Sequence, residues 1–169
     1  MKKCIFSVWV LTLLVVGGSR TACAQFQPFN EADTRELQAF RLNDDLVERY
    51  RNATLALMEY AKAHPSKDDS DDEKASKKSP DLTLSDMVTG MSKAPQFASL
   101  LQSKGISPRQ YVETMLVLVG GYSAIAMQRE GQMATVKPTA IISAANLDYI
   151  KRNYDHLSTL LAGMSGSDN

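Results

Sequence analysis

The first 24 residues constrain the fold most, because their predicted cleavage removes both cysteines and sets the compartment of the mature chain. A Lys-Lys pair follows Met1, Ile5 to Val16 is a short apolar run, and Ala22-Cys23-Ala24 places small residues before a cut at Gln25. These features are typical of a bacterial secretory signal peptide. We therefore expect an exported protein, periplasmic or extracellular, whose fold belongs to residues 25–169.

Two alternatives to simple cleavage exist at this end of the chain. The apolar run is shorter than the roughly 20 residues that cross a bilayer core, which argues against a retained anchor. Lipid attachment at Cys23 requires an aliphatic residue three positions earlier, where this chain has Arg20. We therefore expect no lipid anchor and no stable transmembrane span after cleavage.

The mature chain is predicted to be mildly acidic and free of thiols. The 19 basic residues include Lys2, Lys3 and Arg20, so cleavage leaves 16 basic residues against 19 acidic ones. A nucleic-acid surface needs a basic excess, so we expect no nucleic-acid partner. Cys4 and Cys23 also leave, which excludes disulfides and cysteine-ligated metals from the mature domain. The fold must then depend on its hydrophobic core.

Apolar residues recur at helical spacing, which predicts an all-α bundle of four to five helices across residues 43–163. The first strong helix is predicted over 44–63, with Asn43 as its N-cap. Residues 25–42 are predicted to form either an irregular arm or a short helix over 34–40, since Asp33 and Glu36 have the spacing of a capping box.

The middle of the chain contains a charged linker followed by two short helices. Residues 65–81 read PSKDDSDDEKASKKSPD, which contains too little apolar surface to offset the entropy of ordering it. Polar cap and proline signals then predict helices over 86–92, after Ser85, and over 95–104. Gly105-Ile106 has the pattern of a Schellman stop.

A long helix over 108–130 is predicted to lie in the middle of the bundle. Ser107-Pro108 provides its start, and residues 114–128 carry no charge, so nearly every side of the helix is apolar. Gly120 and Gly121 would allow another helix to approach closely. Glu113, one position before the uncharged run, is expected at the solvated edge.

The last helix is predicted over 144–162, from Ser143 as N-cap to a stop at Gly163, which leaves 164–169 as a flexible tail. Its expected buried stripe comprises Leu147, Ile150, Tyr154, Leu157 and Leu161.

The sequence lacks motifs for catalysis, phosphate binding or metal binding. The mature chain has two histidines, too few for a three-histidine zinc site, and contains no GxxxxGK, GxGxxG or GxSxG. We therefore expect no catalytic residue, no metal and no cofactor. A haem-binding bundle would pair Met58 with His156. Helical geometry places His156 more than about 100° from the apolar stripe, which favours a solvent-facing histidine.

These patterns favour a non-catalytic binding or interaction module of the cell envelope. Met87 and Met91, with Gly120 and Gly121, form the candidate interaction surface, because methionine side chains adapt to varied partners. The expected partner is an unknown protein or a small apolar ligand. The alternatives are methionines that only fill core space, a haem- or small-ligand-binding bundle, and an enzyme without a recognisable motif.

Overall fold

A computed structural model describes residues 29–64 and 83–164, and all the regular structure in these ranges is helical, as predicted. The predicted signal peptide, the 65–81 linker and residues 165–169 of the predicted tail lie outside the described residues. Seven helices occur in the described ranges, more than the four to five expected: α1 (Glu31–Ala39), α2 (Asp44–Ala63), α3 (Leu84–Ser92), α4 (Pro95–Ser103), α5 (Pro108–Arg129), α6 (Ala144–Arg152) and α7 (Tyr154–Met164).

Polar caps set the ends of the helices that the sequence predicts well. The Asn43 side-chain oxygen accepts a hydrogen bond from the backbone N–H of Leu46 at 2.9 Å, which starts α2 where expected. Ser107 forms a capping box with Gln110 at the start of α5. After α4, Gly105 adopts φ +73° and the N–H of Ile106 bonds to the Leu101 carbonyl, which confirms the Schellman stop.

Two predicted starts are wrong because a different residue supplies the cap. Helix α1 begins at Glu31, since Asn30 accepts from the N–H of Asp33 at 2.8 Å. Asp33 is therefore not a cap; it is buried, and its carboxylate accepts from the N–H of Leu84 at 3.0 Å. Helix α3 begins at Leu84 after the Thr83 cap rather than after Ser85.

The predicted 144–162 helix is divided in two, which accounts for part of the excess in helix number. Asn153 separates α6 from α7, and its side-chain amide donates to the Tyr149 carbonyl at 3.0 Å. Such a side chain competes with the helical hydrogen bonds of the backbone. The stop expected at Gly163 is also wrong, because α7 continues to Met164, whose buried side chain adds to the core.

Helix α5 is the central element, as its uncharged sequence predicts. It packs against α2, α3, α4 and α6, and its side chains at Val117 and Leu118 are fully buried. The expectation for Glu113 is wrong, because only 7% of this residue is exposed. The first two turns of α5 are therefore covered on the side that carries Glu113, and the middle of the helix is covered as well.

Gly121 permits the close approach of α6 to α5. A Cβ atom built on Gly121 would lie 2.4 Å from Cδ1 of Ile150 and 3.6 Å from Cγ2 of Ile142. Real Cβ atoms essentially never come that close to another carbon, so any larger residue at position 121 displaces α6 side chains.

Asn146 joins the α1–α2 connection to α6 through hydrogen bonds in the core. Its side-chain oxygen accepts from the N–H of Leu42 at 3.0 Å, and its side-chain nitrogen donates to the carbonyl of Phe40 at 3.0 Å. Asn146 is 1% exposed, so water does not compete for these bonds. The connection before α2 therefore takes its position from α6.

We predict that Gly121→Ala destabilises the domain through contact with Ile150. Overpacking costs about 1–3 kcal/mol, partly offset by the roughly 1 kcal/mol that Ala gains over Gly within a helix. Ile150→Val removes the Cδ1 atom in question. The double variant should therefore lose about 1 kcal/mol less than the sum of the single variants in urea unfolding. Additive losses would show that the two side chains do not compete for space.

Asn146→Ala is expected to cost about 2 kcal/mol of unfolding free energy, because it leaves the N–H of Leu42 buried without a partner. Asn52→Ala is the matched control, since Asn52 is exposed on α2. Thermal and urea unfolding of both variants measure the difference. Equal effects at the two positions would contradict the structural role of Asn146.

Candidate functional site

The first candidate site is an open groove between α2 and α7. Its volume is about 220 Å³. The residues that line it are Glu48, Arg51, His156, Thr159, Leu160 and Gly163. Positions 48 and 51 lie one turn apart on α2, and 156, 159 and 163 lie on one face of α7, so each helix presents its residues through simple helical periodicity.

The α2–α7 groove contains charges of both signs on exposed side chains. Glu48 lies between a guanidinium and an imidazole, with carboxylate oxygens 3.9 Å from Arg51 Nη1 and 3.9 Å from His156 Nε2. Exposed pairs at this distance contribute little to stability, so they remain free to exchange partners. His156 faces solvent, as its position off the apolar stripe predicts. The buried side chain of Leu160 adds an apolar surface.

The volume of the α2–α7 groove limits what it can hold. Sites for small molecules and cofactors usually measure about 300–1,000 Å³ and are enclosed. A groove of about 220 Å³ that is open to solvent suits one or two side chains from a larger partner. Met58, the other residue of the haem alternative, does not line it.

The second candidate site, the carboxyl cluster, comprises Glu36 of α1 with Arg109 and Glu113 of α5. Arg109 donates from Nε and Nη2 to the two carboxylate oxygens of Glu36, a bidentate pair. The Glu113 carboxylate lies 3.8 Å from Arg109 Nε, and its side chain is only 9% exposed. Two carboxyl groups therefore share one guanidinium.

The two carboxyl groups of the cluster have opposite shifts in pKa. Burial, together with the hydrogen bond to Glu36, raises the pKa of Glu113 from its ordinary value of 4.5 to about 8. Hydrogen bonds from Arg109 and Glu113 lower the pKa of Glu36. At neutral pH Glu113 is thus a neutral acid whose hydroxyl donates a hydrogen bond to the ionised Glu36. Because Arg109 occupies both Glu36 oxygens, the arrangement fixes α1 against α5.

The third candidate site lies on the surface where α5 ends. The rings of Tyr122 and Tyr154 stack with centroids 4.9 Å apart, and the Arg129 guanidinium lies 3.8 Å above the centre of the Tyr154 ring. Met127 and Met133 are the exposed large apolar residues of the described ranges, at 36% and 39%. The two rings and Arg129 therefore contact one another, while the two methionines are exposed to solvent.

Comparison with protein-family models, with curated proteins and with solved structures gives no match for this chain.

Across residues 29–64 and 83–164, no group of three or more His, Cys, Asp or Glu side chains is placed to hold a metal ion. In the same ranges no helix combines the length and the apolar character needed to cross a membrane.

The predicted interaction surface is divided among several environments. Met87 and Met91 are half-buried on α3 and pack against the core. Gly120 is half-buried on α5, whereas Gly121 is buried against Ile150 of α6. The glycine pair therefore serves helix packing at position 121, and the two methionines lie on a different helix.

Sequence reasoning missed the residues of the α2–α7 groove and of the carboxyl cluster. The i, i+4 spacing of Arg109 and Glu113 was available as a signal for a side-chain pair. No such signal existed for Glu36, because its contribution requires α1 to lie against α5. Likewise, periodicity places Glu48 on one helix face and His156 on another, but only the packing of α7 on α2 brings the two faces together.

We predict that the unfolding free energy of the wild-type protein falls as pH rises from 5 to 9. The folded chain keeps a proton on Glu113 up to a pKa of about 8, whereas the unfolded chain releases it near 4.5. The contribution of Glu113 is therefore complete below 4.5 and lost as pH rises through 8. Glu36 acts oppositely, because its lowered pKa makes its contribution present above 4.5 and lost in stronger acid.

Urea midpoints at pH 5, 7 and 9 test this dependence. Glu113→Gln, which mimics the neutral acid, should flatten the slope of stability against pH. Glu59→Gln, at an exposed position of α2, should keep the wild-type slope. Parallel slopes for wild type and Glu113→Gln would show that Glu113 is not the group that titrates.

Proposed function

We propose that this chain is an exported, non-catalytic binding domain of the cell envelope, and that it holds a segment of a partner protein in the α2–α7 groove. The observation that carries the proposal is the groove itself, a concave surface of about 220 Å³ with charges of both signs and an apolar contact. Export rests on the signal-like pattern of residues 1–24.

The chemistry of the groove favours a peptide segment over a compact apolar ligand. Arg51 and Glu48 offer a donor and an acceptor on one helix, and Thr159 adds a hydroxyl on the other. A partner side chain of either sign can replace one member of the weak Glu48 pairs without leaving a buried charge. Leu160 then contributes apolar contact beneath the polar rim.

Site-specific photo-crosslinking in the source cell tests this proposal. A benzophenone amino acid replaces Thr159 in the groove or, as the matched control, Thr89, which is exposed on α3. We expect a discrete light-dependent adduct from position 159 and none from position 89, with the adduct weakened at least several-fold by Arg51→Gln. N-terminal sequencing of the same material should begin at Gln25.

Each arm of this experiment has an outcome that contradicts one part of the proposal. Equal adducts at positions 159 and 89, or none at 159, would show that the groove is not the binding surface. A mature N-terminus at Met1 would show that the chain is not processed as proposed.

A further inference from the structure

Helix α1 is the least closely packed helix of the described part of the chain. Each of the other six helices packs closely along another helix, whereas α1 is attached chiefly through side chains. Those attachments are the buried side chain of Leu37, the carboxylate of Asp33 at the N–H of Leu84, the amide of Gln38 at the carbonyl of Thr139, and Glu36 on Arg109. An element attached in this way opens more readily than the rest of a domain.

We propose that the carboxyl cluster is a proton-dependent latch, which holds α1 on α5 while Glu113 is protonated and releases α1 when Glu113 ionises. The cluster is placed for this role, because Glu36 belongs to α1 while Arg109 and Glu113 belong to α5. Every bond that joins α1 to α5 within the cluster must therefore break when α1 is released.

The number of charges explains why the proton matters. With Glu113 neutral, one guanidinium faces one ionised carboxylate, and the Glu113 hydroxyl donates to Glu36. With Glu113 ionised, that hydrogen bond is lost and two carboxylates repel each other across a single Arg109. Asp33 on α1 is a further acidic group that acts on Arg109, and it adds no positive charge to the cluster. Within the described ranges, the charged groups that act on the cluster are Asp33 and Glu36 from α1 and Arg109 from α5.

Release of α1 relieves this conflict, because it takes the Glu36 carboxylate away and leaves Arg109 to pair with Glu113 alone. A buried carboxylate without a sufficient partner is strongly disfavoured, and the undivided guanidinium lowers that penalty in the open form. Opening is therefore coupled to loss of a proton, and raising the pH increases the population of the open form. The pKa of Glu113 is about 8 while α1 is attached and lower once α1 is released, so the opening equilibrium rises with pH up to about 8 and levels off above it.

Amide hydrogen exchange, analysed residue by residue on the full chain, tests the latch. Exchange rates at pH 6 and pH 9 are first corrected for the intrinsic effect of pH. We expect the α1 amides to be protected at least tenfold less than those at the centre of α5, and to lose up to roughly a further hundredfold of protection between pH 6 and pH 9, most of it below pH 8. Glu113→Gln should abolish that pH-dependent loss, and Glu59→Gln should retain it.

A second measurement reads the proton directly. Carboxyl carbon chemical shifts of Glu113, followed against pH, should show a titration whose midpoint coincides with the pH at which the loss of α1 protection levels off. Glu36→Gln should move both pH values lower, because the hydrogen bond and the repulsion from Glu36 disappear. Equal protection of α1 and of the α5 centre would mean that α1 opens only on global unfolding, and would overturn the proposal. The same conclusion follows if α1 protection is independent of pH in the wild type, or if Glu113→Gln loses as much as the wild type.

Discussion

Burial of α5 on most of its surface is the constraint on which the rest of the structure depends. A helix with no charge between residues 114 and 128 is stable in water only if other elements cover it. Helices α2, α3, α4 and α6 meet this need, and Gly121 leaves room for the Ile150 side chain of α6. The first turns of α5 are covered too, which places Glu113 where its charge is costly.

The carboxyl cluster follows from that coverage. Glu113 is almost wholly buried, so it keeps its proton at neutral pH and donates a hydrogen bond to Glu36. The same contact attaches the most weakly packed helix to the most strongly packed one. By contrast, Glu48, Arg51 and His156 in the α2–α7 groove are exposed and weakly paired, so their contacts contribute little to stability.

The extent to which the sequence predicts the fold depends on whether the deciding interaction is local. Asn43, Ser107 and Gly105 act on backbone groups within one turn, and the helix ends that depend on them are confirmed. Asn153 and Met164 depend on side-chain competition and on distant core contacts, so the expected continuous last helix with its stop at Gly163 is wrong. The α2–α7 groove and the carboxyl cluster each join helices far apart in the chain, and spacing alone predicts one side of each. The signal peptide stays a prediction.

The two hydrogen bonds of Asn146 have a consequence for how the chain reaches its folded state. They join residues more than 100 positions apart, as does the bond from Gln38 to Thr139. Contacts of such long range form only after the intervening chain is complete, and they slow folding because the loop between them must first be closed. The connection before α2 therefore cannot acquire its final position until α6 is present. This order delays completion of the core until nearly the whole sequence is available.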